Sequence, residues 1–179
     1  MANYRDIKGF QIQSLSSDPV PYSGSWSSGG NLNTDRWGLA GAGIQTAAIA
    51  IDGLNPNVTD VVESYNGTSW TETGDLNTGR YYIAGAGTTT AGIAISGLGA
   101  SPPYYNVDTE IWNGSSWTET ANTSMTRYGT GTFGTSTATI WATGLTYPPH
   151  TAVANVESWN GSSWTEVGDV NSPRFLGVS

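Results

Sequence analysis

The chain has 179 residues, enough for one domain with a packed core and too few for two full ones. Its net charge of −8, with only six Lys and Arg, excludes a surface for nucleic acid or anionic membrane, because such surfaces need clustered cations. Without cysteine it has no disulfide, thiolate metal site or thiol nucleophile, while 24 glycines, eight tryptophans and nine tyrosines point to short strands and tight turns rather than disorder.

In chain order, residues 1–22 form a lead segment. It has no long apolar stretch, so no signal peptide is expected, and nothing later is apolar enough to span a bilayer. Within it Phe10, Ile12 and Ser14 alternate with polar residues, which suits a strand over 9–15. From residue 23 onward a repeat takes over. Trp70, Trp117 and Trp164 are spaced 47 apart, and Trp26 lies 44 before Trp70. Ten residues after each of these comes an arginine: Arg36, Arg80, Arg127 and Arg174. Gly53, Gly97 and Gly144 follow the first three arginines by 17; Glu63, Glu110 and Glu157 precede a tryptophan by seven, and Glu72, Glu119 and Glu166 follow one by two.

Each unit divides into four strand-like stretches. In the second unit these are Arg80 to Gly87, rich in Gly and Ala; Thr90 to Ser96, stopping at Gly97; Val107 to Trp112, ending at an Asn113-Gly114 dipeptide suited to a type I′ turn; and a stretch from Trp117. Complete units span about 36–75, 80–122 and 127–169. Residues 23–31 read as a fourth strand without predecessors, and 174–179 as a first strand without successors.

The opening arginine, the glycine at the end of the second strand and the aromatic-to-tryptophan spacing resemble the kelch repeat. Kelch units usually place two glycines where this chain has Asp52-Gly53, Ser96-Gly97 and Thr143-Gly144. The run Ser69-Trp-Thr-Glu, then Asp75-Leu-Asn-Thr, Arg80 and Ala84-Gly-Ala-Gly87 is similar to the kelch-like repeats of tailed, especially marine, bacteriophage virion proteins, as is the lead Tyr4 to Asp18. The resemblance implies an all-β, kelch-like β-propeller. It would have three complete four-stranded blades, and a fourth made from the two termini or completed by a partner chain. It further implies a non-enzymatic structural or adhesive virion component, such as a tail fibre, capsid decoration or host-attachment appendage. The resemblance implies assembly in the host cytoplasm, with other virion proteins, copies of itself and a host surface glycan as the expected partners. A stand-alone carbohydrate-binding propeller is the alternative, and a glycan-processing enzyme a distant third.

Residues recurring in every unit suit architecture better than a single site. Arg36, Arg80, Arg127 and Arg174 are expected to bond strand-end carbonyls or to pair with Glu72, Glu119 or Glu166 of an adjacent unit. Trp70, Trp117 and Trp164 are expected to pack between units. Asn66, Asn113 and Asn160 match the glycosylation pattern, but a turn needs Asn-Gly in any case. The irregular part is the loop between the second and third strands, three residues shorter in the first unit. Its Tyr104, Tyr105, Tyr147 and His150 form the candidate contact set for a sugar or a neighbouring subunit. His150, the only histidine, has no metal-ligand spacing, and no nucleophile elbow is present. The copper-radical oxidases built on kelch propellers need a cysteine-linked tyrosine that this chain cannot form. No cofactor, metal or catalytic residue is expected.

Overall fold

The computed structural model describes residues 27–175. The lead segment 1–22, the strand expected at 9–15 and residues 176–179 lie outside the described residues. The described fold is all-β, built from antiparallel sheets, none of them closed into a barrel.

The first sheet is a four-stranded meander, β1 (Ala40–Ile44), β2 (Ala47–Leu54), β3 (Val58–Tyr65) and β4 (Trp70–Glu72). The second contains β5 (Arg80–Tyr81) and β6 (Ala84–Thr88), both paired with β7 (Ala91–Gly99), then β8 (Tyr105–Trp112) and β9 (Trp117–Glu119). The third unit holds two separate sheets. One is a two-stranded ladder of β10 (Arg127–Tyr128) with β13 (Leu145–Thr146). The other is a four-stranded meander of β11 (Gly131–Thr135), β12 (Ala138–Ala142), β14 (Val156–Trp159) and β15 (Trp164–Val167), which is the third sheet of the stack below. Residues 27–31, expected as a strand, have no regular structure, and neither do Arg174 and Phe175.

The sheets stack in chain order through their innermost strands, with β6 between β1 and β11. Close approach explains the small residues there. A Cβ on Gly85 would lie 3.0 Å from Ala40 Cβ and 3.4 Å from Ile51. The second strands β2 and β7 are buried on both faces over most of their length, and so read as apolar runs rather than strict alternation. Ile49, Ile51 and Val62 of the first sheet form one core with Ala94, Trp112 and Trp117 of the second. Ile93 and Ile95 of the second form the next core with Trp141 and Trp159 of the third, and Trp164 packs against it. Each fully buried Ile is worth roughly 1.5–3 kcal/mol relative to exposure, so these two seams hold the sheets together.

Three sequence expectations need correction. The first strand of a unit is not continuous. It breaks after Tyr81 and Tyr128 because the next residue, Tyr82 or Gly129, has φ of 53° or 62°; Gly38 does the same in the first unit with 66°. At these positions the left-handed residue turns the chain out of the ladder, and pairing resumes only at the next strand. The second strand stops before its glycine only in the third unit, where β12 ends at Ala142. β2 and β7 run on to Leu54 and Gly99 through a bulge at Asp52-Gly53 and Ser96-Gly97. Finally, the Asn-Gly hairpins are not type I′ turns. Trp112 pairs with Trp117 across four loop residues, and Gly114 has positive φ whereas Asn113 does not. The Asn113 side-chain oxygen instead accepts from the N–H groups of Ser115 and Ser116, an arrangement repeated at Asn66 and Asn160.

Candidate functional site

The repeated arginines are buried and paired within their own units. Arg36, Arg80 and Arg127 reach Glu63, Glu110 and Glu157 at 3.0, 3.1 and 2.8 Å, all with side chains almost wholly removed from solvent. This corrects the expected pairing with Glu72, Glu119 and Glu166. Those glutamates sit directly opposite Glu63, Glu110 and Glu157 on the edge strands, where their side chains are exposed. The buried carboxylates are held from a second side. Asn33 and Asn77 donate backbone and side-chain N–H bonds to Glu63 and Glu110, and Ser124 does so to Glu157 with its N–H and hydroxyl. Asn or Ser three residues before Arg, with Glu on the third strand, is therefore the structural signature of the unit. Bonds to carbonyls are also present: Arg127 donates to Thr143 O and Asn155 O, and its guanidinium lies 3.8 Å above the Trp141 ring. Burial pulls the Arg127 guanidinium below its usual range, with Glu157 pulling against it. Among the described residues Arg174 has no carboxylate partner; its backbone carbonyl accepts from Gly144 N.

The bulges bind one unit to the next. Asp52, Ser96 and Thr143 have φ of 62°, 52° and 63°, costing roughly 1–2 kcal/mol each for residues with a Cβ. Two of them recover it through their side chains. Asp52 accepts from the N–H of Arg80 at 2.6 Å and of its neighbour Gly53 at 2.8 Å. Ser96 exchanges hydrogen bonds with the backbone of Arg127. A second glycine would fit this backbone but supply no such bond. Burial pushes the Asp52 carboxyl up to about 8, more than its two N–H donors pull it down.

The repeated tryptophans also cross the seams. Trp117 Nε1 donates to Gly74 O, Trp164 Nε1 to Thr109 Oγ1, and Trp70 Nε1 to Gly30 O. Each stacks at about 5 Å on the aromatic that ends the preceding strand, Trp112, Trp159 or Tyr65.

With these residues committed to the seams, the aromatic end of the sheets stands out. Trp37, Tyr81 and Tyr128 each follow a repeat arginine, and Tyr82 bridges them. Its ring lies 5.5 Å from Trp37, 5.2 Å from Tyr81 and 5.5 Å from Tyr128. The ladders bring in the irregular loops: β5 pairs with the far end of β7, and β10 with β13. Tyr147 packs on His150 at 5.0 Å, and His150 Nδ1 shares a 2.5 Å hydrogen bond with the Tyr128 hydroxyl. Burial, reinforced by Tyr82, Tyr147 and Tyr104, pushes the Tyr81 phenol above its usual range, so it stays a protonated donor near neutral pH. Tyr147 and His150 are thus brought together beside Tyr128, whereas Tyr104 and Tyr105 are both exposed and neither makes a ring contact. Trp37, Tyr81, Tyr82 and Tyr128 were absent from the sequence-based set. The signal was an aromatic directly after every repeat arginine, Phe175 after Arg174 included.

Beside this belt the inner strands form an open pit of about 250 Å³, lined by their glycines and alanines, by the apolar Leu39 and Ile83, and by the hydroxyl-bearing Tyr82, Thr130 and Thr132. Its lining contains no charged residue. Among the described residues there is no group of three or more His, Asp or Glu able to hold a metal ion. The arrangement offers flat ring faces and hydroxyls, the chemistry of a recognition surface. No protein-family model matches the chain, and no curated protein matches it.

Proposed function

We propose that the three sheets are successive blades of a kelch-like β-propeller, and that the chain is a non-enzymatic structural or adhesive component of a tailed-phage particle. The observation that carries this reading is the use of the repeat. Its arginines are consumed in buried pairs with Glu63, Glu110 and Glu157 inside each unit, and its tryptophans and the bulge residues Asp52 and Ser96 in holding sheet to sheet, which suits a scaffold. The stacking of β1, β6 and β11 supports blades arranged around a common centre. The likeness of residues 69–87 and of the lead segment to phage virion repeats supports the particle. Neighbours in that particle are other virion proteins and further copies of this chain. Mass spectrometry and antibody-gold electron microscopy of purified particles test this. Recovery of the protein at a fixed position on the virion is expected, and its absence from intact particles overturns the reading.

A second reading, a glycan-binding propeller, is favoured by the aromatic belt beside an uncharged cavity. The two are compatible in an adhesive appendage, where the scaffold faces the particle and the belt faces a host surface.

A further inference from the structure

Two residues after the repeat arginine, each of the three complete units has left-handed backbone. The first and third units place glycine there, Gly38 and Gly129, and the second places Tyr82 at φ 53°. Glycine meets this geometry without penalty, so the fold does not require an aromatic at the position. A bulky residue at positive φ is an outlier, and such strain gathers at binding sites, where a side chain is held for contact rather than for stability. Tyr104, exposed and at φ 59°, is the other aromatic residue with positive φ among the described residues. Tyr82 also lines the cavity.

We propose that Tyr82, flanked by Trp37 and Tyr128 over the cavity between the inner strands, is the stacking platform of a binding site for a neutral saccharide. This deepens the contact-surface reading and names its ligand class. Charge argues for neutrality. No cation or carboxylate lines the cavity, so an ionised group entering it would lose water without gaining a partner. The chain's net charge of −8 further repels anions. Size argues for a ring at the end of a chain. The cavity is smaller than the ~300–1,000 Å³ pockets that take drug-sized molecules, and it is a pit where three sheets meet. A proline-rich peptide needs a long aromatic groove instead. The polar edge fits hydroxyl ligands. Thr130 Oγ1 accepts from Trp141 Nε1 at 2.9 Å, which leaves its own proton to donate into the cavity.

The test is an array of neutral and acidic oligosaccharides, with a polyproline peptide as comparison, probed with the full chain and with Tyr82→Gly and Trp37→Ala. Retention of neutral oligosaccharides is expected, weakened tenfold or more by Tyr82→Gly while the melting temperature stays within a few degrees. Trp37→Ala, which removes an exposed ring, is expected to weaken binding several-fold and serves if the first variant does not fold. Binding of the polyproline peptide alone, retention of acidic sugars alone or no retention overturns the proposal, as does unchanged binding by the variants. Absence of the protein from virions would leave this result standing, so the two readings fail separately.

Discussion

Arg80 and Tyr82 stand two residues apart and follow opposite rules. Arg80 is fully buried, paired with Glu110 and repeated in every unit. Tyr82 is half-buried, strained and unique to the second unit, where its counterparts are glycines. Positions that repeat hold the units and the seams between them, and a position that departs from the repeat while accepting strain carries contact. The difference teaches that in a repeat protein the informative residue is the one the scaffold could do without.

The comparison breaks most visibly at the ion pairs. Glu110→Ala leaves Arg80 buried without its nearest charge partner and orphans the N–H bonds of Asn77. A loss of about 3–5 kcal/mol is expected in urea denaturation. Trp117→Phe keeps most of the packing but strands Gly74 O, and about 1–3 kcal/mol is expected to go. Asp52 makes one seam sensitive to pH. Its folded carboxyl titrates at about 8 against 3.8 for the free group, so the folded chain holds a proton that the unfolded chain has released. Stability is therefore fully present below pH ~4 and falls as pH rises toward 8. Asp52→Ser, which installs the residue used at Ser96, is expected to flatten that slope in melts across pH 4–9. At the belt, Trp37→Ala is expected to cost about 1–2 kcal/mol, less than Glu110→Ala, since half of the ring is already exposed.

Much of the scaffold was legible in the sequence, because repetition exposes positions that every unit needs. The four-stranded units, the packing role of the tryptophans and the loops bearing Tyr104, Tyr147 and His150 follow from spacing alone. What escaped was local backbone geometry and partner choice. Nothing in the order Arg80-Tyr-Tyr announces that the second tyrosine has left-handed φ, and that conformation splits the strand. The choice between Glu63 and Glu72 depends on which of two directly opposed carboxylates is buried, a property of the stacked sheets. The belt escaped for a related reason. By spacing the aromatic after each arginine belongs to the start of a strand, and only the pairing of β5 with the far end of β7 and of β10 with β13 brings those rings to the loops.

The most direct measurement is the melting temperature of Tyr82→Gly beside that of Glu110→Ala. Relief of backbone strain offsets the lost ring contacts, so Tyr82→Gly is predicted to shift the midpoint by no more than ~2–4 °C, the scale of about 1 kcal/mol in a chain of this size. Glu110→Ala is predicted to lower it several times further. A fall in Tyr82→Gly as large as that in Glu110→Ala would contradict the division between seam and contact surface.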